Sequence, residues 1–122
     1  MKKLLIVVDM QKDFVDGALG TQEAVGIVDK VVSKIEAFDG DIVVTYDTHG
    51  KDYMQTREGQ NLPVPHCIKG TAGWELDGKV QAALENRGYT VIEKPTFGAV
   101  ALPEYIKTVY DPEQLEIELV GL

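Results

Sequence analysis

The chain has one cysteine, two histidines and only twelve lysines and arginines against twenty aspartates and glutamates. A lone Cys67 cannot close an internal disulfide, which suits a reducing compartment. The net charge of -8, with its basic residues scattered, offers no stripe to neutralise phosphates and argues against a nucleic-acid partner. A bilayer crossing needs roughly 20 apolar residues; no stretch approaches that, so no membrane partner is expected. Met1-Lys2-Lys3 before an apolar run mimics a secretory signal, but Asp9 breaks the run and no small-residue cleavage site follows. Internal repeats and low-complexity tracts are missing too. Together these absences predict a soluble, cytoplasmic protein.

What is present is an alternation of short apolar runs and helical patterns. Leu4-Leu5-Ile6-Val7-Val8 is too short for a helix and shows no polar alternation, as a strand buried on both faces of a parallel sheet would read, and Asp9 stops it. A loop holding Asp13, Phe14, Asp16, Gly17 and Gly20 follows, with Thr21 as a helix N-cap. Val25, Val28, Val32, Ile35 and Phe38 recur at helical spacing and predict a helix over Glu23–Phe38, with Gly40 in the C′ role. Asp41–Tyr46 is a second β-branched strand running into Asp47, and Thr48–Gly73 is a long irregular segment of the kind that is usually functional. A helix over Glu75–Asn86 has Leu76, Val80, Ala83 and Leu84 as its inner face and Gly88 closing it. A strand over Tyr89–Glu93 ends at Lys94-Pro95, and a helix over Pro103–Tyr110 leads to a last strand, Leu115–Leu122. The pattern predicts one α/β domain over residues 1–122, with a doubly wound parallel sheet in three layers.

Three successive strands thus bring ionisable residues to one edge of the sheet: Asp9, then Asp47 with His49, then Lys94. In open α/β sheets ligands bind beyond the carboxyl ends of the strands. Singly, each residue has a plainer role: an acid after a strand is often a turn former, and a lysine before proline is often merely solvated. Three in a row favour a site. Asp47 and His49, two apart in an extended segment, project to the same side, and His66 follows in a Pro-flanked loop. Two histidines and a carboxylate suit Zn, Mn or Fe(II), and Glu58 is a further acid that would ligate or lie just outside. Cys67 beside His66 suggests a Cys–His pair, but neighbours in an extended loop point apart, which favours a structural role.

Five motifs in order, Asp9-Met10-Gln11-Lys12-Asp13-Phe14, Tyr46-Asp47-Thr48-His49, Pro65-His66-Cys67-Ile68-Lys69-Gly70-Thr71, Lys94-Pro95-Thr96-Phe97-Gly98-Ala99 and Leu119-Val120-Gly121-Leu122, together resemble the isochorismatase-like cysteine hydrolases, and among them the nicotinamidase/pyrazinamidase branch. The resemblance implies hydrolysis of a small amide, nicotinamide to nicotinate and ammonia in NAD salvage, through a cysteine thioester. It implies Asp9 and Lys94 as catalytic residues, and Asp47, His49 and His66 as ligands of a divalent metal, with zinc expected first and Mn or Fe as alternatives. Phe14 and Phe97 would wall the substrate ring, or else pack as ordinary core. Family members commonly assemble as homo-oligomers, so that is expected here. Another isochorismatase-like hydrolase, or a non-catalytic metal- and ligand-binding fragment, is the alternative.

The family's nucleophilic cysteine should follow the glycine that Gly121 resembles by a few residues, whereas this sequence stops at Leu122. Family members continue through another crossover helix and further strands. The ending Glu118–Leu122 also reads as a buried strand with nothing to cover it. The expectation is therefore the first part of a longer enzyme, a domain incomplete on its C-terminal side and inactive as 122 residues.

Overall fold

The structure, a computed structural model, describes residues 2–94 and 101–122. Four strands, β1 (Lys2–Val8), β2 (Asp41–Asp47), β3 (Thr90–Lys94) and β4 (Leu115–Gly121), form one sheet in the order β3-β2-β1-β4, with every pairing parallel. The helices are α1 (Lys12–Val15), α2 (Gln22–Ala37), α3 (Arg57–Asn61), α4 (Gly78–Glu85) and α5 (Ala101–Val109). The chain builds outward from β1 to β3 and then crosses back to β4, so the strand order reverses between β1 and β4. That reversal is where an open α/β sheet leaves a crevice for a ligand.

The two faces of the sheet follow from the alternation of side chains along each strand. Leu5 and Val7 of β1 with Ile42, Val44 and Tyr46 of β2 pack against Val28, Val31 and Ile35 of α2 and Val80, Ala83 and Leu84 of α4. Leu4, Ile6, Val43 and Ile92 point the other way, against Leu102, Tyr105 and Ile106 of α5 and against Tyr110. Helices on both faces make the sheet doubly wound, as the sequence predicts. Among the described residues no helix is long and apolar enough to cross a membrane.

Several expected boundaries move. The loop after Asp9 contains one helical turn, α1, whose Lys12 N–H bonds Glu75 O at 2.8 Å. Of the predicted inner face of α2, Val28, Ile35 and Phe38 are buried and Val32 packs partly buried on the core, whereas Val25 is half exposed and Ala24 and Val31 join the buried stripe. Gly40 is not a left-handed cap: Phe38 already leaves α2 in extended backbone. Glycine is needed there because a Cβ would meet Lys3 O at 2.5 Å. Helix α4 starts at Gly78, not Glu75, because the Asp77 side chain accepts from the N–H groups of Lys79 and Val80 and so caps it. Helix α5 begins two residues before Pro103, whose ring sits in the first turn where no N–H donor is required. Strand β3 begins at Thr90 and takes in Lys94. On β4, Leu119 stays 67 % exposed with Ile117 and Leu122 beside it, the apolar surface anticipated for that strand.

Candidate functional site

Strand β1 ends at Val8, and the next residue, Asp9, takes a left-handed backbone (φ 51°) that L side chains rarely adopt. Such a conformation costs on the order of 1–3 kcal/mol and persists only where neighbours over-determine it. Here β2 does so: Asp9 N–H reaches the carbonyl and the hydroxyl of Thr45, both at 3.2 Å, and the Thr45 hydroxyl donates to Asp9 Oδ1 at 2.6 Å. The other carboxylate oxygen, Oδ2, receives Lys94 Nζ at 2.8 Å. Two strand spacings, about 10 Å, separate the lines of β3 and β1, so only a long side chain at the end of β3 can reach across β2 to this acid. Lysine is long enough.

The two side chains of this pair are 13 and 15 % exposed, so neither charge is well solvated without the other. Replacing Lys94 by methionine is expected to cost about 2 kcal/mol in urea denaturation, somewhat less than the roughly 3–5 kcal/mol seen for fully buried pairs, because some solvent reaches both groups. An unchanged midpoint and slope would mean that the pair is held only loosely.

Beside the pair, Asp47, His49 and His66 gather from the end of β2 and the following loops, with ligand atoms all within 4.8 Å of one another and all three residues buried. His49 Nε2 lies 3.1 Å and His66 Nε2 3.5 Å from Asp47 Oδ2. Ligand atoms bonded tetrahedrally to zinc at about 2.0–2.1 Å are about 3.3 Å apart, a value these two distances bracket. His66 Nδ1 lies 2.7 Å from Val64 O, and since a carbonyl can only accept, Nδ1 carries a proton there and Nε2 is the ring nitrogen turned toward Asp47. The donor set therefore fits a divalent cation. Burial pushes the Asp47 carboxyl above the usual carboxylate range, with Asp9 adding to the rise while the two histidines oppose it. A cation held here would oppose that rise and favour the ionised carboxylate.

The surrounding residues are mostly ones that the sequence did not single out. Tyr53, itself buried, stands edge-on to both imidazoles at 4.7 and 5.1 Å and anchors its hydroxyl on Leu62 O. The Phe14 ring lies 5.5 Å from His66, which places it beside the metal group, whereas Phe97 falls outside the described residues. Glu58 Oε2 is 3.8 Å from His49 Nε2, at the outer side of the group. Asp13 accepts from Cys67 N–H at 2.8 Å, and Gln11 bonds the backbone of Asp47. Only the shared motif around Asp9 marked these two positions; polar type and spacing carried no hint of burial.

Cys67 is fully buried, and its backbone is left-handed (φ 49°) rather than extended as the alternation argument assumed. Burial pushes its thiol up, the charges of Asp47, Asp13 and Asp9 push it further, and Lys94 opposes them. Such a thiol is a poor nucleophile at neutral pH. On the other side of Asp9, Gly121 of β4 pairs with Val8, and a Cβ at Gly121 would press into the Val8 backbone. The backbone leaving β4 therefore passes next to the acid.

A family model described as the isochorismatase domain matches residues 3–121. The Bacillus subtilis (strain 168) protein PncA, described as an uncharacterized isochorismatase family protein, is 30 % identical over 132 residues, an alignment that takes in 100 % of this chain and 72 % of that protein. The crystal structure of the nicotinamidase/pyrazinamidase PncA from Bacillus subtilis superposes with a TM-score of 0.83 at 32 % identity, covering 100 % of this chain and 72 % of that one. The pyrazinamidase of Pyrococcus horikoshii, solved in complex with zinc, gives a TM-score of 0.72 at 28 % identity over 100 % of this chain and 71 % of that one.

Proposed function

Because the chain belongs to the isochorismatase family, we propose that it carries the acid, the ammonium and the metal ligands of a nicotinamidase, which hydrolyses nicotinamide to nicotinate and ammonia. One observation carries the reading: the Asp9–Lys94 pair and the Asp47–His49–His66 group lie together at the carboxyl ends of adjacent parallel strands. The Bacillus and Pyrococcus neighbours support the same substrate class.

In the proposed reaction, a thiol supplied from outside residues 1–122 attacks the carboxamide carbon. Asp9 takes its proton, and the Lys94 ammonium favours the thiolate. As the tetrahedral intermediate collapses, the C–N bond breaks and Asp9 passes the proton to the departing ammonia, leaving a thioester. Asp9 then takes a proton from water, which attacks the thioester carbon, releases nicotinate and returns the thiol. Thr45, bonded to Oδ1, and Lys94, bonded to Oδ2, keep the Asp9 carboxylate fixed throughout. A divalent ion on Asp47, His49 and His66, zinc in the first instance and Mn or Fe as alternatives, would supply a Lewis-acidic site for the ring nitrogen. Phe14, whose ring lies 5.5 Å from that of His66, would wall the ring on the His66 side. A place in NAD salvage, a cytoplasmic location and a homo-oligomeric assembly belong to the same proposal.

The test is ligand binding by the zinc-loaded chain. Nicotinamide is expected to shift the NMR signals of Phe14 and His66, and benzamide, which lacks the ring nitrogen, to bind at least about tenfold more weakly, a difference of about 1.4 kcal/mol. Equal binding of both, or of neither, defeats the reading. The buried Cys67 favours one second reading, a module that holds the metal and the pyridine ligand without turning it over.

A further inference from the structure

We propose that Gln11 is the positioning residue of the metal group, its side-chain amide standing in for a strand residue and holding the backbone of Asp47 in place. The inference rests on the metal reading above. Strand β1 pairs with β2 only as far as Val8 and Thr45, after which the left-handed Asp9 turns the chain away. Beyond that point the β1 side of β2 has lost its partner, and the next residues of β2 include the ligand Asp47.

Gln11 fills the gap. It is fully buried; its Oε1 accepts from Asp47 N–H at 2.8 Å and its Nε2 donates to Asp47 O at 2.8 Å. A primary amide offers a donor and an acceptor side by side, the same pair a peptide group would present, so the ladder continues for one more step through a side chain. The second proton of Nε2 goes to Trp74 O at 2.8 Å. Around it, Lys12 N–H bonds Glu75 O and Asp77 N–H bonds Met10 O, both at 2.8 Å, so the segment before α4 is tied to the same spot. One amide thus joins the exit of β1, the end of β2 and the entry to α4.

The consequence for the metal group is geometric. Asp47 presents Oδ2 to His49 and His66 at 3.1 and 3.5 Å, close to the separations of a tetrahedral site, and the Gln11 amide holds both the N–H and the carbonyl of the backbone that carries this side chain. Groups that orient metal ligands through hydrogen bonds typically change affinity by 10–100-fold when removed. Gln11 acts on a ligand backbone, where sequence inspection does not look for such a group.

The experiment titrates the chain and its variants with Zn²⁺, by calorimetry, and with Co²⁺, by its visible absorption. Gln11→Met keeps the length and removes the amide. Gln11→Glu keeps the shape but sets a carboxylate oxygen against the carbonyls of Asp47 and Trp74. Both are expected to bind Zn²⁺ about 10–100-fold more weakly and to alter the intensity of the Co²⁺ bands. Tyr110→Phe is the control: it removes a 2.6 Å hydrogen bond to Asp41, at the start of β2, and should leave Zn²⁺ affinity within about twofold while lowering stability. If Gln11→Met does not fold, Gln11→Glu decides. Variants that bind Zn²⁺ and absorb with Co²⁺ as the parent chain does, while losing stability as Tyr110→Phe does, overturn the inference alone. A parent chain that binds neither ion overturns the metal reading and this inference together.

Discussion

Purified as 122 residues, the chain is expected to release no ammonia from nicotinamide above the uncatalysed rate, at any concentration of zinc. The proposed reaction needs a thiolate, and the sequence offers only Cys67. That thiol is fully buried, its pKa is driven upward first by burial and then by the charges of Asp47, Asp13 and Asp9, and its own N–H is tied to Asp13 at 2.8 Å. Since the shift is upward, the thiolate fraction at pH 7 is smaller than that of an ordinary cysteine and grows only in strongly alkaline solution. Two measurements check this. A coupled ammonia assay should stay at baseline, and a thiol reagent should label native Cys67 roughly a thousandfold more slowly than the urea-unfolded chain, because access requires an opening of the fold. Turnover that disappears in Cys67→Ser would refute the assignment of the nucleophile to residues outside Met1–Leu122.

Removing His66 should have the larger effect on metal binding. His66→Ala deletes a proposed ligand, not a supporting group, so Zn²⁺ affinity is expected to fall by at least about a hundredfold, beyond the usual range for outer partners. A ligand at a free concentration a thousand times its Kd stabilises the fold by about 4 kcal/mol. The parent chain should gain on that order when zinc is added, and His66→Ala should gain almost nothing. Glu58→Gln separates inner from outer positions: with Oε2 at 3.8 Å from His49 and its side chain 29 % exposed, Glu58 is expected to change affinity by less than about tenfold. A loss as great as that of His66→Ala would make Glu58 a ligand. Thermal unfolding with and without Zn²⁺ reads all three proteins in one experiment.

Strand β4 has the apolar pattern of a buried strand and, as anticipated, a side left uncovered. Leu115–Leu122 reads as a buried strand, and it does pair with β1 along its length, yet Leu119 is 67 % exposed because nothing among the described residues covers that side. Propensity reports what a strand can bury, and packing decides what it does bury. Helix α2 makes the same point on a smaller scale. Val25 fits the helical period as well as Ala24 does, but the small Ala24 faces the sheet and Val25 faces outward.

Local chemistry was enough to predict the strands from their β-branched runs, the caps at Thr21 and Gly88, and the acids and the lysine at strand ends, because each depends on neighbours within a few residues. The candidate metal group was legible for a related reason, since Asp47 and His49 share one short segment and His66 is one of only two histidines. Tertiary structure alone decided that Lys94 reaches Asp9 across β2, that Thr45 locks that acid, and that Gln11 extends the ladder to Asp47. Those contacts join residues 36 and 85 positions apart, and a polar side chain buried between two strands carries no mark in sequence that distinguishes it from one in water.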